Sequence, residues 1–211
     1  YGFSVLPSGQ PDYGGGKYVW AQIGAYDGEF TSQRYFMEFH SDRESVELDD
    51  DEHYLSMVIR CVKDLKAIPY SKDPVPACNE NGVDNCEYGE LVAERDGKKY
   101  KTVAIGTQIW MAENLNYNSN YRDENSGDSI VNSWCLAYQV GCAFGRYYSW
   151  SAVMDSSGMA SGKPSGCGMN APCLAEERVQ GICPVGWHLP DTTEINELIN
   201  YIHYVGKKYA S

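Results

Sequence analysis

The chain has 211 residues, room for one ordinary domain or two small ones, and a globular composition. Lysine plus arginine number 17 against 29 aspartates plus glutamates, a formal charge of −12. That sign is wrong for a protein whose affinity comes from neutralising phosphates, so nucleic acid is excluded as a partner. No apolar run approaches the roughly 18 to 20 residues of a membrane-spanning helix, so no membrane span is expected.

Residues 1–64 read as strands and turns. Val19, Ala21 and Ile23 alternate with Tyr18, Trp20 and Gln22, and the runs from Arg34 to Phe39 and through Leu55, Met57, Ile59 and Cys61 suit half-buried antiparallel strands. Gly14-Gly15-Gly16, Gly24 to Gly28 and the acidic stretch Glu47 to Glu52 are turn material. The acidic stretch offers hard oxygen ligands but lacks the spacing of a calcium loop, so a solvated hairpin tip carrying gatekeeper charges is expected there. Residues 65–85 lose the alternation and gain Pro69, Pro74 and Pro76, the composition of an extended linker that ends one unit and begins another, with its extended character running on to residue 90. A hairpin follows, with Tyr100, Thr102, Val103 and Ile105 on one arm, Ile109, Trp110 and Met111 on the other, and the turn at Gly106-Thr107. Residues 114–134 read as polar surface loop, and 145–155 as a short helix carrying Tyr147, Tyr148, Trp150, Ala152 and Val153. The clearest helix starts at Pro190, with Asp191 or Thr192 as cap and Glu194 at the capping-box position. Ile195, Leu198, Ile199 and Ile202 share its core face, and Gly206 is expected to end it. The chain then stops just after its best helix, as though in the middle of a fold.

Eight cysteines without a CxxC pair fit disulfides better than zinc, since His40, His53, His188 and His203 are scattered and none stands near two cysteines at ligand spacing. Oxidised pairs imply an extracellular or cell-surface location, and any signal peptide is expected to have been removed or to lie outside the sequence. No GxSxG occurs and no histidine pairs with a reactive cysteine, so no catalytic residue, cofactor or metal is assigned and the expectation is a non-enzymatic protein.

The octapeptide Cys183-Pro184-Val185-Gly186-Trp187-His188-Leu189-Pro190 resembles the CPxGWHLP signature of the Fibrobacter succinogenes major paralogous domain. Asp96-Gly97-Lys98-Lys99-Tyr100 through Ile109-Trp110-Met111-Ala112-Glu113-Asn114-Leu115 is similar to that family's opening hairpin, and Gly145-Arg146-Tyr147-Tyr148-Ser149-Trp150 to its first helix. Ser56-Met57-Val58-Ile59-Arg60-Cys61-Val62-Lys63-Asp64 resembles its terminal strand, and Tyr1-Gly2-Phe3-Ser4-Val5-Leu6-Pro7 a GFSALP stretch of its second half. The resemblance implies an α+β fold of C-type lectin-like kind, with antiparallel strands, two helices and long disulfide-stapled loops. His188, inside the signature, is read as a structural hydrogen-bonding residue beside a tryptophan. Gln10-Pro11-Asp12 only superficially matches a calcium-lectin element, since no WND follows it, and is read as a turn.

In the family the order of the two parts is reversed: here 1–64 resembles the C-terminal half and 86–211 the N-terminal part. Cys78 with Cys86, Cys135 with Cys142, and Cys167 with Cys173 each enclose a short polar loop and are expected to pair locally. Cys61 and Cys183 remain, a bond that in the family's own order ties the helix-leading segment to the last strand. The linker of about 20 residues spans roughly 60 Å when extended, enough to place the halves of one chain in different modules. The functional expectation is therefore an extracellular assembly module, one repeat of a surface fibre in which the 1–64 half of one subunit completes the 86–211 half of the next. Its partner is a further copy of itself, head to tail, and the Cys61–Cys183 bond then runs between chains. The alternative is a carbohydrate-binding adhesin domain, folded as a permuted monomer, with polysaccharide as partner.

Overall fold

Alternating apolar residues build small antiparallel sheets rather than one large one. The computed structural model describes residues 57–65, 85–120, 131–135, 141–162 and 178–201 with their side chains, and the backbone of 19–25, 34–40, 46–51, 79–80, 83–84, 121–122, 129–130, 140 and 202–209. The first sheet has the order β1 (Val19–Ala25), β2 (Arg34–His40) and β3 (Val46–Asp51), all antiparallel. β4 (Val62–Asp64) belongs to a different sheet, and β5 (Asn79–Glu80) pairs with β6 (Val83–Asp84). β7 (Gly89–Ala93), β8 (Lys98–Ile105) and β9 (Gln108–Met111) form a meander that β4 joins at its β9 edge, giving the order β4-β9-β8-β7. Two-residue ladders complete the strands: β10 (Tyr121–Arg122) on β11 (Ser129–Ile130), and β12 (Ser133–Trp134) on β13 (Tyr147–Tyr148). The helices are α1 (Trp150–Val153) and α2 (Thr192–Tyr209).

The β8–β9 hairpin turns at Gly106-Thr107, with Ile105 opposite Gln108. Gly106 has φ +60°, which a II′ turn requires at its first central position. Helix α2 begins where the capping residues place it: the Glu194 N–H donates to Asp191 Oδ1 (2.8 Å) and the Asp191 N–H donates to Glu194 Oε2 (3.0 Å). The core collects around Ile59, Cys61, Met111, Leu115, Tyr148, Trp150, Met154, Ile182 and Leu189.

Several expectations are corrected. The acidic stretch is no hairpin tip: Val46–Asp51 is strand β3, with Arg34 opposite Asp51 and Phe36 opposite Asp49. It lies at a sheet edge, where charge discourages further pairing as well as it would on a turn. Residues 65–90 hold β5, β6 and the start of β7 rather than extended chain alone. Residues 114–134 are not simply surface, because Asn114, Leu115 and Ser133 are buried. There the amides stand in for a ladder, Asn120 Oδ1 accepting from the Asn132 and Ser133 N–H groups (both 2.8 Å). Tyr147 and Tyr148 form β13 instead of helix, and α1 is confined to the four residues after the Ser149 cap. Gly206 does not stop α2, since one interior glycine costs only about 1 kcal/mol against the rest of the helix. Tyr1 to Pro7, Gln10-Pro11-Asp12, Leu55, Cys78, Cys167 and Cys173 lie outside the described residues.

Tyr148 stands at the centre of this core, fully buried, its hydroxyl within reach of the carbonyls of Tyr117 (2.9 Å) and Leu115 (3.2 Å). Burial pushes its phenol well above the ordinary pKa of 10, with neighbouring Tyr100 acting in the same direction. Tyr100 is itself raised, first by burial. A raised folded pKa means that the unfolded chain releases these protons first, so their stabilisation is complete below pH 10 and falls as pH rises beyond it. Phenolate absorbance during alkaline titration is expected to show a fraction of the tyrosines ionising only together with loss of tertiary structure. Tyr148→Phe is expected to remove part of that cooperative fraction and to cost about 1 to 2 kcal/mol at neutral pH through the lost hydroxyl bond.

Candidate functional site: a strand slot and its helix cap

The segment Met57 to Val62 is sequestered to an extent that its alternation does not announce. Met57, Val58, Ile59, Arg60, Cys61 and Val62 are each between 0 and 2 % exposed, so both faces are buried and not one. Both edges are bonded as well. On one side Met57 exchanges backbone hydrogen bonds with Tyr148 (3.1 and 2.9 Å), and Val62 exchanges them with His188 (3.0 Å each way). On the other, the Ile59 carbonyl accepts from Leu115 N–H (2.8 Å), the Cys61 carbonyl accepts from Met111 N–H (3.0 Å), and Val62–Asp64 run along β9 from Trp110 to Gln108. The segment fills a slot between β9 and the two separate positions Tyr148 and His188.

Arg60 is the one charged residue in the slot. Its Nε donates to Asn114 Oδ1 (2.8 Å), and desolvation lowers its pKa to about 10 although Glu113 opposes the shift. Asn114 Nδ2 donates in turn to the Phe144 carbonyl (3.0 Å), which links the strand to the loop before β13.

Beside the slot the octapeptide meets α2. His188 Nε2 lies 2.9 Å from Glu194 Oε1, and both residues are buried. Arg178 Nη1, a donor only, stands 3.1 Å from the same Nε2, so this ring nitrogen lies between a carboxylate and a guanidinium. Glu194 therefore serves two elements, its Oε2 holding the helix cap through Asp191 and its Oε1 holding the strand partner His188. Arg178 closes the cluster from outside, pairing with Asp64 at the end of β4 and with Glu194 (3.5 Å). Burial works to lower the Arg178 pKa, but the Asp64 hydrogen bond and charge, with Glu194 and Asp191, carry it above its ordinary value. Asp64, His188 and Glu194 are the one group among the described residues whose geometry would hold a metal ion, their ligand atoms lying within 4.8 Å of one another. The Arg178 guanidinium already supplies the cation there, so the cluster reads as an ion-pair network.

The structure joins Cys61 to Cys183 within the chain, Cα to Cα 5.8 Å across 122 residues of sequence, and Cys135 to Cys142 at 5.1 Å. Cys86 is also disulfide-bonded, and no cysteine among the described residues is free. Cys61 and Cys183 are both wholly buried, one in the slot segment and one at the head of the octapeptide. Sequence reasoning missed Arg60, Asn114, Arg178 and Asp64. No periodicity marks them, and only the juxtaposition of distant segments gives them partners.

The family model described as the Fibrobacter succinogenes major domain matches residues 103–210, half of the chain, and the chain belongs to that family. The match takes in the octapeptide, its helix and the β13–α1 region, and does not reach the slot segment. No curated protein and no solved structure matches the chain. No helix among the described residues is long and apolar enough to cross a membrane.

The network separates by burial. Glu194→Ala removes the carboxylate that meets the buried His188 ring and leaves the Asp191 N–H uncapped, and is expected to cost about 2 to 4 kcal/mol in denaturant unfolding. Arg178 and Asp64 side chains are about half exposed, at 51 % and 47 %. Arg178→Ala is accordingly expected to change stability by less than about 1 kcal/mol. Replacing Cys61 and Cys183 together by serine is expected to cost about 2 to 5 kcal/mol, given the length of the loop they close.

Proposed function

We propose that the chain is an extracellular structural and assembly module of C-type lectin-like kind, with Met57–Asp64 as its closing strand. The observation that carries this reading is the two-sided bonding of that segment between β9 and the Tyr148 and His188 positions. Six consecutive buried residues contribute on the order of 10 kcal/mol of burial, comparable to the whole net stability of a domain. A module lacking the segment is incomplete, and whichever chain supplies the segment becomes part of it. Within this chain the supply is internal. In a head-to-tail fibre the segment of one copy fills the slot of the next through identical contacts, with the chain between β4 and β5 as the connection between modules. The disulfides suit a secreted location.

The permuted monomer is the second reading, favoured by the internal closure of both the strand and the Cys61–Cys183 bond. Mixing distinguishes the two. Isotopically heavy and light chains are unfolded, reduced and refolded together under oxidising conditions, and the Cys61–Cys183 peptides are weighed. Fibre assembly is expected to give mixed heavy–light pairs and ladders on a non-reducing gel that collapse to one subunit on reduction. Pairs of a single isotope in a discrete monomer overturn strand sharing and leave the closed module.

A further inference from the structure

Arg178 meets the helix cap with a single atom. Its Nη1 pairs with Asp64 Oδ2, stands 3.1 Å from His188 Nε2 and lies 3.5 Å from Glu194 Oε1. That nitrogen faces two carboxylate oxygens and a ring nitrogen, one partner more than it has protons. The conflict falls on the imidazole. With the proton on Nδ1, Nε2 accepts from Arg178 but turns a lone pair toward the Glu194 oxygen 2.9 Å away; with a proton on Nε2, the ring donates to Glu194 but sets one N–H against another. Neither arrangement satisfies both contacts, in side chains only 10 % and 8 % exposed.

A divalent metal ion removes the conflict. It takes lone pairs from a ring nitrogen and from carboxylate oxygens at once, through bonds of about 2.0 to 2.2 Å that set neighbouring ligand atoms roughly 3 Å apart. His188 Nε2 and Glu194 Oε1 already stand at that spacing, and all three ligand atoms lie within 4.8 Å of one another. Asp64 is the ligand that has to close in, and its side chain is 47 % exposed at the end of β4, where it has room to move. Glu194 ligates through Oε1 alone, because Oε2 stays on the Asp191 N–H of the helix cap. Charge favours the exchange as well. A guanidinium neutralises one of the two carboxylates and a divalent ion both, in a chain whose net charge of −12 draws cations. Nitrogen in the donor set selects an ion of the zinc class over calcium or magnesium, which take oxygen. Arg178, 51 % exposed, moves into solvent with little loss of stability.

We propose that Asp64, His188 and Glu194 form a binding site for a divalent ion of the zinc class, which takes the place of the Arg178 guanidinium. Asp64 belongs to β4 and the other two ligands to the octapeptide and α2, so the ion binds the closed module and not the open one. The ligands are the same whichever chain supplies β4, and the site stands or falls separately from the assembly reading.

The test is calorimetric titration of the oxidised full chain with zinc chloride, joined to thermal unfolding in zinc and in excess EDTA. A saturable one-to-one zinc site is expected, with a midpoint that zinc raises and EDTA returns. Loss of an outer-shell partner alone costs about tenfold or more in metal affinity, so Asp64→Ala, which removes a ligand, is expected to weaken zinc by at least that factor. Arg178→Gln removes the competing cation and is expected to tighten zinc severalfold, an effect that a purely structural ion pair would not produce. Millimolar calcium is expected not to displace the zinc. Midpoints of both variants in EDTA, close to that of the parent chain, separate lost binding from lost folding. Absence of saturable binding by the parent chain and by Arg178→Gln overturns the proposal. Unchanged affinity in Asp64→Ala, weaker binding in Arg178→Gln, or displacement by calcium overturns it as well.

Discussion

The buried segment Met57 to Val62, which leads into β4, is the constraint on which the module rests. An edge strand needs hydrogen bonds along one side and burial on one face, whereas this segment has bonding neighbours on both sides and no exposed face. Its neighbours come from four places in the chain: β9, the Leu115 segment, β13 and the octapeptide. Among the described residues Tyr148 and His188 share no ladder with β9, and this segment bonds to both of them and to β9 at once. The core residues Met111, Leu115, Tyr148 and Leu189 therefore depend on a segment that lies before all of them in sequence.

The octapeptide acquires a physical meaning in this setting. Cys183 fixes its first residue to the strand covalently, His188 pairs with Val62 through its backbone, and the same His188 presents its ring to Glu194. Glu194 in turn caps the helix that the octapeptide introduces. Strand, turn and helix N-terminus are thus held by one carboxylate and one imidazole, a buried pair whose bonding capacity is used on both elements. Arg178 and Asp64 extend the pair to the surface, where screening leaves them little stabilising effect of their own.

Local features were legible in the sequence and distant ones were not. Gly106-Thr107 announces its hairpin, and Asp191 with Glu194 announces its helix start, because each depends on residues within one turn of each other. The octapeptide announces the family. In contrast, Met57, Ile59 and Cys61 show the alternation of a half-buried strand, and the burial of Val58 and Arg60 between them is invisible until β9 and the octapeptide close over the second face. Nothing near Arg60 in sequence marks its acceptor, which Asn114 supplies from 54 residues away. The acidic run Glu47 to Glu52 reads as a turn because aspartate disfavours strands, yet the pairing of Val46–Asp51 with β2 overrides that weak preference. Tyr147 and Tyr148 were drawn toward a helix by the apolar spacing that follows them, and the cap at Ser149 sets the boundary instead.

The chain order gives the disulfide its role. Bringing Cys61 to Cys183 closes 122 residues, and the entropy of that closure must be met before the slot contacts repay it, which makes the central strand a late and non-local step of folding. Until it arrives, β9 presents an unpaired edge beside exposed apolar side chains, the condition under which a strand from another copy competes with the chain's own. The tethered segment has the advantage of its effective concentration over the same segment of another copy, an advantage that shrinks as the concentration of copies rises. Oxidation then makes the outcome permanent, because the disulfide locks whichever strand occupies the slot when the thiols meet. On the proposed assembly reading, exchange with a neighbour would use the same contacts as the self-closure seen here, so local concentration and the timing of oxidation, rather than any difference in contacts, would decide between them.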